Sequence, residues 1–82
     1  MKIDVKLYAT LRIYAPPGNE LGEPFPLDLN IGTIQEALKV LKIPAEKAKI
    51  IMLNGIQTPD IETHLNDGDL LVIFPPIGGG EP

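Results

Sequence analysis

Apolar and polar residues alternate from Lys2 to Tyr8, with Ile3, Val5 and Leu7 on one side and Lys2, Asp4, Lys6 and Tyr8 on the other. A period of two predicts a half-buried strand. After Ala9-Thr10-Leu11-Arg12-Ile13, the stretch from Tyr14 to Pro24 carries Pro16, Pro17, Gly18, Asn19, Gly22 and Pro24, a density of breakers suited to a surface loop. Phe25, Leu27 and Leu29 then resume the alternation as a second strand, the other arm of a long hairpin. Thr33-Ile34-Gln35-Glu36 fits a capping box, in which Thr33 accepts from an early helix N–H and Glu36 reaches back to the Thr33 amide. Ile34, Ala37, Leu38 and Leu41 follow at helical spacing, and the helix is expected to stop near Lys42 because Pro44 disfavours helical geometry at Ile43. Pro44 to Lys47 suits a further short turn of helix. Lys49 to Leu53 reads as a third strand ended by Asn54-Gly55, a dipeptide made for a tight turn with positive φ. Ile56 to His64 holds a short edge strand or an irregular segment around Pro59, and the turn Asn66-Asp67-Gly68-Asp69 leads into a last strand, Leu70 to Phe74.

This order predicts an α+β domain at residues 1–74, with a mixed sheet of four to five strands and one main helix packed on one face. It places the first and last strands side by side and parallel, the β-grasp arrangement of ubiquitin. If Leu71 and Ile73 face the helix, then Leu70, Val72 and Phe74 face outward, as does Tyr8 on the first strand. Tyr8, Val72 and Phe74 would then form an apolar patch on the open sheet face, with Arg12 nearby. Contiguous exposed apolar surface marks a docking site, whereas single exposed apolar residues carry no such meaning.

Composition narrows the function. A single domain of 82 residues buries only about 60–65 per cent of its unfolded surface, which leaves no room for a deep substrate pocket. The net charge of −4 argues against nucleic acid and favours basic partners. With no cysteine there is no disulfide, thiolate nucleophile, iron–sulfur cluster or cysteine zinc site. Neither a signal-peptide hydrophobic region nor an apolar run of about 20 residues is present, so a soluble cytoplasmic protein with no membrane association is expected. His64 stands alone among Asp60, Glu62, Asp67 and Asp69, a setting of solvated turn residues rather than a metal site. No acid–base pair or activated nucleophile assembles, and the expectation is a non-catalytic protein that binds no cofactor and no metal.

The tail, residues 75–82, is Pro75-Pro76-Ile77-Gly78-Gly79-Gly80-Glu81-Pro82. Two prolines end the last strand and form a semi-rigid stem. The span from Phe74 to Gly80 reaches at most about 25 Å when extended, and Gly78, Gly79 and Gly80 have no side chain to block a narrow channel. A plain terminal tail is the alternative reading. No helix follows the glycines, so they do not make a phosphate loop.

Leu7-Tyr8-Ala9-Thr10-Leu11-Arg12, Leu53-Asn54-Gly55, and Asp67-Gly68-Asp69 through Phe74-Pro75-Pro76-Ile77-Gly78-Gly79-Gly80 carry a family resemblance over nearly the whole chain. The chain resembles the MoaD/ThiS group of ubiquitin-like sulfur carriers, and within it the small subunit of molybdopterin synthase. The resemblance implies a last glycine that is adenylated by an activating enzyme related to ubiquitin activators, which uses the ATP, and that then becomes a thiocarboxylate. It implies a large synthase subunit that receives the tail. By position, Gly79 and Gly80 match the reactive terminus, and Tyr8, Arg12 and Phe74 match the partner-facing surface; Val72, Pro75, Pro76, Ile77 and Gly78 complete the expected interface. Family carriers act through the free carboxylate of the final glycine, whereas Gly80 is followed here by Glu81 and Pro82. A carrier role therefore requires a processing protease. Conjugation to lysines through Gly80 as a modifier, sulfur delivery to thiamine or another pathway, and a non-carrier interaction module are the alternatives.

Overall fold

The computed structural model describes residues 1–19 and 22–76. Five strands form one sheet: β1 Lys2–Leu7, β2 Phe25–Asp28, β3 Ile50–Leu53, β4 Ile56–Gln57 and β5 Leu70–Phe74, in the order β2-β1-β5-β3-β4. β1 and β5 lie parallel at the centre, with Asp4 opposite Leu70 and Lys6 opposite Val72. β2 pairs antiparallel with β1, and β3 antiparallel with β5, where Ile50 meets Phe74 and Met52 meets Val72. The mixed β-grasp sheet expected from the strand order is present.

Alternation sets the faces. Ile3, Val5, Leu71 and Ile73 are completely buried and Leu7 nearly so, and they meet Ile34, Ala37 and Leu38 of the helix α1, Ile34–Leu41, in a single core. Each such aliphatic side chain contributes about 1.5–3 kcal/mol by leaving water. The opposite face carries Lys6, Tyr8, Val72 and Phe74.

Both ends of α1 differ in detail from the sequence expectation. Thr33 Oγ1 accepts from the Glu36 amide at 3.2 Å, as a cap should. The reciprocal half of the capping box is replaced, because the Thr33 amide donates to the Ile31 carbonyl at 3.0 Å. At the other end Lys42 adopts the left-handed conformation, φ 65°. Its amide donates to the Lys39 carbonyl at 3.1 Å, and that of Ile43 to the Leu38 carbonyl at 2.9 Å. This is a Schellman stop, which normally selects glycine; Pro44 only follows it.

Between β1 and the long loop, Ala9–Tyr14 forms a 3-10 helix that the sequence did not signal. Leu11 anchors it in the core, 1% exposed. A further short 3-10 turn at Ala45–Lys47 matches expectation, as does the two-residue turn at Asn54-Gly55, where φ is 52° and 85°.

That turn is tied to the start of β5. Asn54 Nδ2 donates to Asp69 Oδ1 at 2.9 Å, while the Leu70 amide donates to Asn54 Oδ1 at 2.9 Å. Asp69 Oδ2 accepts from the Asn66 amide at 2.7 Å, and Asp67 Oδ1 accepts from the Lys2 amide at 2.7 Å. The Asn-Gly and Asp-Gly-Asp motifs are thus the knot that sets the register of β1, β3 and β5 at one end of the sheet. The chain leaves β5 at the opposite end.

Candidate docking site at the tail exit

Tyr8 follows the last residue of β1, held by its amide donating to the Ile73 carbonyl at 3.2 Å. Its ring therefore projects from the open face beside Phe74, the last residue of β5. The two rings stack with centroids 4.5 Å apart and planes 11° from parallel. Such a pair is worth about 0.5–1.5 kcal/mol beyond its buried area. Tyr8 remains 39% exposed, and Phe74 is half-buried, so the stack forms a platform rather than part of the core.

Val72 is half-buried one step along the same face of β5, flanked in register by Lys6 and Met52. Pro75 and Pro76 continue directly from Phe74, the first half-buried and the second exposed. The sheet and its flanking 3-10 helix thus gather Tyr8, Arg12, Val72, Phe74, Pro75 and Pro76 at one end. Ile77, Gly78, Gly79 and Gly80, and with them Glu81 and Pro82, lie outside the described residues.

The 3-10 helix brings Arg12 to the rim of the platform. The arginine is exposed, and its Nε lies 3.5 Å from the Ala9 carbonyl oxygen. Gly22 packs against its stem: a Cβ added there would fall 2.9 Å from Arg12 Cδ, and φ at Gly22 is 72°, so both space and backbone favour glycine. Between Arg12 and the stack is an open notch of about 160 Å³, lined by Lys6, Leu7, Tyr8, Ala9, Arg12 and Gly22. The Lys6 ammonium stands 5.2 Å from the Tyr8 ring centroid, within cation–π range.

Three contributors were missed from sequence. Ile50 and Met52 stand opposite Phe74 and Val72 and are half-buried, which widens the patch across β3. Lys6 was assigned to the outer face but not to the site. The uniformly apolar run Ile50–Leu53 hides its parity, and only its pairing with β5 reveals it. His64 is exposed far from this patch, in an isolated bridge to Thr33 near the start of α1. Among the described residues no group of three or more His, Asp or Glu is placed to hold a metal ion, and no helix is long and apolar enough to cross a membrane. The arrangement is a small apolar platform with cations at its rim, at the root of the tail.

The sequence profile of the ThiS family matches residues 5–80. No curated protein gives a significant match. Among solved structures, SAMP1 from Haloferax volcanii superposes with a TM-score of 0.68 at 22% identity, covering 98% of this chain and 100% of that one. The small archaeal modifier protein 1 from Methanosarcina acetivorans gives 0.64 at 28% identity, with 96% of each chain covered. A chain from the complex of subunits 1 and 2 of molybdopterin-converting factor from Helicobacter pylori 26695 gives 0.61 at 24% identity, covering 98% of this chain and 100% of that one. The profile match runs through the platform residues Tyr8, Arg12, Val72 and Phe74 and on to Gly80, and the chain belongs to the ThiS family.

Proposed function

We propose that this protein is a sulfur carrier whose Gly80 carboxyl group becomes a thiocarboxylate, and that it delivers this sulfur in molybdopterin formation. The observation that carries the reading is the position of the Tyr8–Phe74 platform where β5 gives way to Pro75-Pro76. A partner that grips the platform lies at the root of the glycine tail. The family match ends at Gly80 and leaves Glu81 and Pro82 outside it, which supports Gly80 as the reactive terminus.

The chemistry then has a required order. While Gly80 is joined to Glu81, its carbonyl belongs to an amide and offers no carboxylate. A protease must first hydrolyse that bond and release Glu81-Pro82. The freed carboxylate attacks the α-phosphorus of ATP on an adenylating enzyme related to ubiquitin activators, and pyrophosphate leaves. A sulfide-level nucleophile supplied through that enzyme attacks the acyl carbon, the acyl–phosphate bond breaks with loss of AMP, and the thiocarboxylate is left. The carrier itself contributes a docking surface and a thin tail.

For the sulfur acceptor, the Phe74-Pro75-Pro76 run favours the pterin pathway over thiamine. The Helicobacter pylori neighbour, solved as a complex of subunits 1 and 2, supports a large synthase subunit as partner. The test is ATP–pyrophosphate exchange by the activating enzyme of the same organism. A chain ending at Gly80 is expected to support exchange and the full chain not to; absence of exchange with both would refute the reading.

A second reading is favoured by the likeness to the small archaeal modifier from Methanosarcina acetivorans. Here the Gly80 carboxyl joins lysine side chains of other proteins. No Lys or Arg follows Lys49, so trypsin would leave residues 50–80 on each modified lysine. Recovery of that branched peptide from cells, without a thiocarboxylate, would favour the modifier.

A further inference from the structure

Asn54, far from the candidate docking site, carries a chemistry of its own. Of Asn19, Asn30, Asn54 and Asn66, it alone is followed by glycine. The side-chain amide of asparagine is a carbonyl electrophile, and the next backbone nitrogen lies the right number of atoms away to close a five-membered ring on it. A glycine nitrogen has no Cβ beside it, so its approach is unhindered. Asn54 and Gly55 are exposed, and a Cβ added to Gly55 would meet nothing within 4 Å, so hydroxide and water reach the turn.

The folded turn withholds the reaction in two ways. Asn54 holds φ at 52°, in the left-handed region. At the ψ of about +47° that belongs to this region, tetrahedral geometry sets Cβ nearly opposite the following nitrogen across the Cα–C bond. Ring closure needs those two atoms nearly eclipsed, so the peptide must first swing through about half a turn. The residue is also tied to the start of β5: Nδ2 donates to Asp69 Oδ1, Oδ1 accepts from the Leu70 amide, and the Asn54 amide donates to the Leu70 carbonyl, each at 2.9 Å. Reaction therefore requires local opening of the β3–β4 turn, which these bonds oppose.

We propose that Asn54 is a site of spontaneous deamidation latched by Asp69 and Leu70, and that its modification loosens the strand that carries the tail. Once the turn opens, the Gly55 amide loses its proton to hydroxide and its nitrogen attacks Asn54 Cγ. The new N–Cγ bond closes a succinimide as the Cγ–Nδ2 bond breaks, and Nδ2 leaves as ammonia with a proton from water. Water then cleaves one of the two ring C–N bonds and leaves aspartate or isoaspartate at this position. The balance is one water consumed and one ammonia released, with no redox change. The product does not latch again, because a carboxylate replaces the donor to Asp69 Oδ1 with a second acceptor of like charge. Isoaspartate also lengthens the main chain by one methylene, which a two-residue turn does not accommodate. The strand that starts at this latch, Leu70–Phe74, is the one that leads into the tail.

The test incubates the full chain in mildly alkaline buffer, folded and unfolded in urea, and follows the tryptic peptide that begins at Ile50. A gain of about 1 Da, placed by fragmentation, is expected at Asn54 of the unfolded chain well before any at Asn66. In the folded chain the rate at Asn54 should be lower by more than about tenfold. Asp69→Ala should speed the folded-state reaction about two- to fivefold, the factor for one exposed hydrogen bond. Thr33→Ala removes the cap of α1 and lowers global stability without touching the turn, and should leave the rate unchanged. Asn54→Asp, which stands for one product, should unfold at a lower urea concentration than wild type. Equal rates in the folded and unfolded chain, a wild-type rate in Asp69→Ala, acceleration by Thr33→Ala as large as that by Asp69→Ala, or wild-type stability in Asn54→Asp would each overturn the proposal.

Discussion

Asn54→Ala separates a structural from a chemical role for one of the motifs that mark the family. Asn54 makes two side-chain hydrogen bonds of 2.9 Å, one to the Asp69 carboxylate and one from the Leu70 amide. Both are exposed, so each is worth roughly 0.5–1 kcal/mol. Asn54 also holds φ at 52°, a conformation that asparagine tolerates and that costs alanine about 1 kcal/mol or more. The sum is a loss of roughly 2–3 kcal/mol, or a fall of about 10–20 °C in the unfolding midpoint for a domain of this size. Asn54→Gly removes the same bonds without the backbone strain and should cost about 1 kcal/mol less. Equilibrium urea unfolding at constant m-value measures both, and partner binding by the folded fraction should be unchanged. The reasoning is refuted if Asn54→Ala lies within about 0.5 kcal/mol of wild type, or if it spares stability and abolishes binding.

Leu71→Ala opens a cavity beneath the central strand, where Leu71 is fully buried, and should cost about 2–5 kcal/mol in urea unfolding. Lys42→Gly relieves the left-handed residue that ends α1, and a gain of about 0.5–1 kcal/mol is expected by the same assay; a loss would contradict the Schellman assignment. Phe74→Ala removes the stack with Tyr8 and should cost no more than about 2 kcal/mol of stability. Its affinity for the large synthase subunit should fall by more than about tenfold, and equal effects on both quantities would contradict a docking role.

Much of the fold was legible because one face of the sheet is buried and the other is not. Ile3, Val5 and Leu7 against Lys2, Asp4 and Lys6 fixed both the strand and its orientation, and the same parity placed Leu71 and Ile73 inward. Asn54-Gly55 was readable because few dipeptides accept two positive φ values in succession. The helix stop was found at the right residue through Pro44, while its actual device, a left-handed Lys42, has no sequence signature, since lysine carries no preference for that conformation. Ala9–Tyr14 escaped because six residues of 3-10 helix bury one residue, Leu11, and a single buried residue makes no period. The candidate docking site was half legible. Tyr8, Val72 and Phe74 followed from parity, whereas Ile50, Met52 and Lys6 joined them only through strand pairing and the placement of the tyrosine ring.

The central claim concerns one carboxyl group, and the mass of the C-terminal tryptic peptide from native cells tests it most directly. That peptide begins at Ile50. The account predicts a species ending at Gly80, lighter than the encoded peptide by about 226 Da for the lost Glu81 and Pro82, accompanied by a form about 16 Da heavier in which sulfur replaces one carboxyl oxygen. A single species that retains Glu81 and Pro82 would contradict it.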